Sequence, residues 1–168
     1  MTQPTLYDDD ILLWSEQQAE VIRKLGTAGR HLPNELDVEN VAEEIESVGR
    51  SELAAVESLI RQILLHLIKL VAEGDATAAR HWQGEILAFH DEMLRRYAPS
   101  MRQRINLQAL WRSARGQLLT SYEGAPERVV QRLPDRCPFE LDDVLEDRIE
   151  SLALVDRMHR AIAPDLEP

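Results

Sequence analysis

Residues 40–73 read NVAEEIESVGRSELAAVESLIRQILLHLIKLVAE, and after Gly74–Asp75 the chain continues over 76–97 as ATAARHWQGEILAFHDEMLRRY. In the first stretch apolar side chains fall at Val41, Ile45, Val48, Val56, Leu59, Ile63, Leu67 and Leu70. In the second they fall at Trp82, Ile86, Phe89, Met93 and Tyr97. Steps of three and four residues place such side chains on one side of an α-helix, whereas a half-buried strand would alternate. Gly74 and Asp75 stop the first helix, and so short a connection makes the two helices antiparallel neighbours. Facing positions then have numbers that sum to about 150 for a turn centred on 74–76. That register sets His66 beside Trp82 and Glu85, and Glu52 near Arg96 and Tyr97. One unbroken helix over the first stretch would be roughly 50 Å long at 1.5 Å per residue. A compact chain of this size is only about 40 Å across. The expectation is therefore a bend or break at Gly49–Arg50–Ser51, where glycine weakens the helix.

Working outward, Asp8, Asp9 or Asp10 can cap a first helix with the stripe Ile11, Trp14, Gln18, Val21–Ile22 and Leu25, ended by Gly26 and Gly29. Pro33 lies in a loop, after which Asp37 or Asn40 caps the long helix, with Asn40 and Glu43 spaced as a capping box. Beyond Tyr97, Ala98–Pro99 interrupts the chain. Ser100 can cap a fourth helix bearing Leu107, Leu110–Trp111, Ala114, Leu118 and Tyr122, closed by Gly124 and Pro126. A short helix over 127–133, an irregular stretch over 134–139, and a helix with Leu141, Val144, Leu145 and Ile149 follow. The segment Leu152 to Ile162 keeps helical spacing. The fold class is all-α: an antiparallel bundle of about four main helices plus short C-terminal helices. Its length suits one domain, with a core over about residues 7–150 and a tail over 151–168.

Aromatic residues make up only 5% of the 168, so the core must be Leu, Ile, Val and Ala, which suits helix packing. The N-terminus lacks the basic start and apolar run of a signal peptide, and the apolar run Ile63–Val71 is too short to span a bilayer. The lone Cys137 has no partner for a disulfide. These features point to a cytoplasmic protein without a membrane partner. The net charge of −11 disfavours a nucleic-acid partner, because neutralising phosphates requires a cationic surface. Residues 1–60 carry 13 acids and 4 bases, whereas residues 101–136 carry 3 acids and 7 arginines. Arg102, Arg104, Arg112, Arg115, Arg128, Arg132 and Arg136 are expected to neutralise acidic helices of the same fold.

The chain resembles a bacterial family catalogued as domain of unknown function 29. The resemblance is carried by Tyr7–Asp8 with Asp10, Leu13–Trp14 and Gln17, then Leu36–Asp37, Glu39–Asn40 and, above all, the block Glu43 to Glu52, EEIESVGRSE. His66–Leu67–Ile68–Lys69, Trp82, Pro99–Ser100, Leu133–Pro134 and Cys137–Pro138–Phe139 continue it, in order, to about Ile149. The resemblance implies an all-α fold and no assigned activity.

The candidate polar cluster comprises Glu43, Glu46, Arg50, Glu52, His66, Glu85 and Arg96. Glu43 and Glu46 share a helix face and have the spacing of a pair of metal-binding carboxylates, but the Glu-x-x-His motif of di-iron bundles is missing. The simpler reading is ion pairing: Glu46 with Arg50 at i,i+4, and Glu52 with Arg96. His66 lies on an apolar stripe, where the ring needs a partner; Glu85 or a backbone carbonyl is expected to hold it. His81, His90 and His159 read as surface residues, His31 as a loop residue, Cys137 as a packed turn residue, and Trp14, Trp82 and Trp111 as core anchors. No HExxH, paired cysteines, phosphate-binding glycine loop or GxSxG is present, so neither a metal nor a cofactor is expected. Three functions remain in view. The first is a non-enzymatic protein-interaction or regulatory module that binds a basic partner. The second is a small metal-dependent enzyme using the Glu43–Glu52 block and a histidine. The third is a homo-oligomer joined through an exposed helix face or the stripe Leu152, Val155, Met158 and Ile162.

Overall fold

A computed structural model describes residues 5–28, 32–72, 76–121 and 132–162. Its helices are α1 (Leu6–Asp9), α2 (Ile11–Thr27), α3 (Val38–Ala72), α4 (Ala76–Arg96), a 3-10 helix (Pro99–Gln103), α5 (Leu107–Ser121), α6 (Leu141–Leu145) and α7 (Ser151–Ile162). No strand occurs among the described residues, and the four long helices are those expected. His31, Gly74, Asp75, Arg128 and most of the expected 127–133 helix lie outside the described residues, as do Tyr122, Gly124 and Pro126. Contacts divide the chain into two compact units: residues 1–56 with 96–105, and residues 57–95 with 106–168.

In the first unit, α2 opens at Asp10, whose Oδ1 accepts the Leu13 N–H at 3.0 Å. The same carboxylate accepts the Ser100 N–H at 2.9 Å and the Ser100 hydroxyl at 2.7 Å. Asp10 is thus 5% exposed yet fully used, capping the start of α2 and tying the 3-10 segment to it. Ser100 is therefore not the cap of α5. Asn106 takes that place, its Oδ1 accepting the Ala109 N–H at 3.0 Å. Asp37 caps α3 by accepting the Asn40 N–H, so Asn40 stands inside the helix and the Asn40–Glu43 capping box does not form.

Of the bend or break expected at Gly49, no break occurs: α3 is continuous over 35 residues. Glycine serves a different purpose there. A Cβ on Gly49 would lie 2.2 Å from Ser15 Oγ and 3.0 Å from Leu12 Cα. At the other end of the pair a Cβ on Gly26 would lie 2.8 Å from Val38 Cγ1. Missing side chains thus let α2 and α3 approach closely as antiparallel neighbours. The buried positions of α2 are Leu12, Ser15 and Ala19, one small-residue face turned away from the stripe read from hydrophobicity. Val21, counted in that stripe, is 48% exposed.

The second unit holds most of the buried apolar residues. Ile60, Ile63, Leu64, Leu67 and Ile68 of α3 are fully buried, as are Ile86 and Met93 of α4, Trp111 of α5, Val144 of α6 and Met158 of α7. Trp111 donates its indole N–H to the Pro134 carbonyl at 3.0 Å and meets the Phe139 ring edge-on. Gln108 brackets the following loop, donating to the Asp135 carbonyl and accepting from the Cys137 N–H. These bonds fold the irregular 132–139 stretch back along α5.

Candidate functional site

The acidic block on α3 is braced from α2. Arg23 donates to Glu46 at 2.7 Å and to Glu39 at 3.2 Å, and lies 3.8 Å from Glu43. Arg50 pairs with Glu43 and, at 3.8 Å, with Glu46. The hydrogen bond from Arg23 holds the Glu46 carboxyl below its ordinary value, and bonds to Glu46 and Glu39 raise the Arg23 guanidinium. Sequence reading found the Glu46–Arg50 pair but not Arg23, whose partners are 16 to 23 residues away. Glu52 reaches Arg96 at 3.0 Å, as the register of the hairpin implies.

His66 belongs to the second unit. Its ring is 5.3 Å from Trp82 and 5.3 Å from Phe89. Nδ1 donates to the Gln62 carbonyl at 2.8 Å, and Nε2 lies 3.6 Å from Glu85 Oε2. The backbone carbonyl therefore orients the ring, while the carboxylate acts through its charge. Burial pushes the imidazole pKa below 6.5; the Gln62 bond opposes this, and Lys69 and His81 repel a second positive charge. Lys69 Nζ sits 4.2 Å over the Trp82 ring, and burial lowers its ammonium pKa too. The Trp82 indole N–H is buried with no hydrogen-bond acceptor among the described residues.

Glu43, Glu46, Arg50, Glu52 and Arg96 belong to the first unit, and His66 and Glu85 to the second. Glu43 and Glu46 are occupied by arginines, and among the described residues no group of three His, Cys, Asp or Glu is placed to hold a metal.

Other expectations divide. His81 and His159 are exposed, but His90 is 5% exposed and its Nε2 donates to the Glu146 carbonyl at 2.9 Å. Its partner, 56 residues along the chain, left no local signal. Trp111 is a core anchor, whereas Trp14 and Trp82 are only half-buried. Cys137 is packed, and burial raises its thiol to about 11. Of the arginines, Arg104 pairs with Glu16 of α2, and Arg115 of α5 pairs with Asp135 of the 132–139 stretch. Of the expected α7 stripe, Met158 is buried, Val155 and Ile162 are half-buried and Leu152 is 63% exposed.

What remains open in the first unit is apolar. Starting from the α2–α3 contact and turning about 100° per residue, Ile22 and Leu25 on α2 lie roughly a quarter-turn from it, as do Val41, Ile45 and Val48 on α3. Both offsets have the same rotational sense, and in an antiparallel pair that puts them on one side. Arg23, Glu39, Glu43 and Glu46 lie on the other. Val41 is 36% and Val48 44% exposed, and Ile22, Leu25 and Ile45 are half-buried. Hydrophobic spacing pointed to these positions but assigned them to the core. Among the described residues no helix is long and apolar enough to cross a membrane.

The family model described as "Domain of unknown function DUF29" matches residues 6–149, and the chain belongs to that family. It is similar to a crystal structure of an alpha-helical protein of unknown function from Rhodospirillum rubrum, at 31% identity and a TM-score of 0.78. The likeness covers 94% of this chain and 99% of that one. No curated protein matches the chain.

Proposed function

We propose that this DUF29 member is a non-enzymatic protein-interaction module and that it works through the first unit. The observation that carries this reading is the half-exposed apolar side of the α2–α3 pair. A helical layer with an apolar side gains most of its stability by burying that side against another element. Exposed contiguous apolar surface on a folded chain accordingly marks an interaction site. The acids on the other side are consumed by Arg23 and Arg50, so they brace the pair and leave the apolar side to do the binding. A cytoplasmic setting and a basic partner belong to the same reading, since complementary charge raises association rates and selectivity.

A photo-crosslinking residue placed at Val48 of the full chain in its own cells tests the reading. The expected result is one discrete adduct with another protein that then binds the purified chain. The same residue at Gly116, where nothing lies near a new side chain, should give no such adduct. Absence of the Val48 adduct, or the same adduct from both positions, overturns the proposal.

A further inference from the structure

We infer that the occupant of the open side of α2 and α3 is a single amphipathic helix with lysine or arginine along its flanks, contributed by another protein. This rests on the interaction-module reading and narrows it. Two antiparallel helices in close contact present a shallow groove. A third helix lying in it meets Ile22 and Leu25 with one edge and Val41, Ile45 and Val48 with the other. Recognition of an apolar helix face by a groove uses anchors at i, i+3, i+4 and i+7, and Val41, Ile45 and Val48 offer matching spacing on α3.

Charge decides which helix. Almost every described base of this unit is already matched to an acid of the same unit: Arg23 to Glu39 and Glu46, Lys24 to Glu20, Arg50 to Glu43, Arg96 to Glu52 and Arg104 to Glu16. Glu44 is exposed, carries no ion pair among the described residues, and stands one turn from both Val41 and Val48. Among the described residues the rim of the groove therefore offers the unspent negative charge of Glu44 and no unspent positive charge. A second copy would set a net acidic unit against another, since residues 1–56 with 96–105 hold 12 acids and 7 bases. A basic helix meets no such repulsion.

The test titrates the isotope-labelled full chain with an amphipathic helical peptide of about 18 leucines and lysines, and with its leucine–glutamate counterpart, a length of about five turns. Amide shifts should centre on Ile22, Leu25, Val41, Ile45 and Val48. The glutamate peptide should bind at least tenfold more weakly. Val41→Asp with Val48→Asp should cost at least tenfold, Glu44→Arg a smaller factor, and Leu87→Asp on the exposed side of α4 nothing. Equal binding of both peptides, or shifts spread over surface acids and untouched by the Val41 and Val48 changes, overturns the inference. So does a chain that sediments as a dimer until Val48→Asp makes it monomeric. A Val48 adduct with a neutral or acidic partner would overturn the basic helix alone and leave the interaction module standing.

Discussion

At Gly49 a single missing methyl group decides how near two helices come. Alanine is the better helix former by about 1 kcal/mol, yet here its Cβ would fall 2.2 Å from Ser15 Oγ. Gly49→Ala should therefore destabilise the chain by about 1–3 kcal/mol, the usual range for overpacking. Gly116→Ala, with nothing within 4 Å of the new atom, should stabilise it by about 0.5–1 kcal/mol. Urea midpoints of the two variants check both signs. Residue chemistry also sets a pH dependence at His66. Its folded pKa lies below the unfolded 6.5, so the fold favours the neutral ring. The stability this contributes is present above pH 6.5 and is lost as pH falls through 6.5 towards the folded value. An NMR titration should show a midpoint below 6.5. Because Glu85 favours the charged ring, Glu85→Gln should lower the midpoint further; an unchanged midpoint would remove Glu85 from the account.

The elements show what periodicity can and cannot reveal. The α3–α4 hairpin was legible down to its register, because a tight connection and two long stripes leave little freedom; His66 at Trp82 and Glu52 at Arg96 both follow from it. The buried face of α2 was not legible. Spacing rules weigh large apolar side chains, and this helix packs on Leu12 together with the small Ser15 and Ala19, whose contribution is closeness rather than bulk. The stripe of Ile22, Leu25 and their neighbours was thereby mistaken for core. For the same reason Gly49 read as a weak point in α3 instead of a contact. Asp10 was legible as a cap, but its second task was not, since Ser100 lies 90 residues away. Asp10→Ala removes a helix cap and leaves the Ser100 groups without their acceptor, and should cost about 1–3 kcal/mol. Ser100→Ala loses one hydroxyl bond and should cost less. Chemical denaturation of both variants measures the difference.

At the scale of the whole molecule, the extent of the folded unit is set by packing rather than by the span over which the family is recognised. The family match ends at Ile149, and in sequence the segment beyond reads as a tail that keeps helical spacing. Helix α7 nevertheless buries Leu154 and Met158, and Arg157 reaches Asp143 of α6. Removing residues 151–168 should then act as a large-to-small change at two core positions, each worth about 2–5 kcal/mol when its side chain is fully lost. Such a sum rivals the total stability of a domain, about 5–15 kcal/mol. The truncated chain should melt far below the full one and show rapid amide exchange at Val144 and Trp111. Leu152→Asp, at a position 63% exposed, should leave the melting point unchanged. A truncated chain that melts with the full-length protein would show that α7 contributes nothing to the core in which Met158 sits.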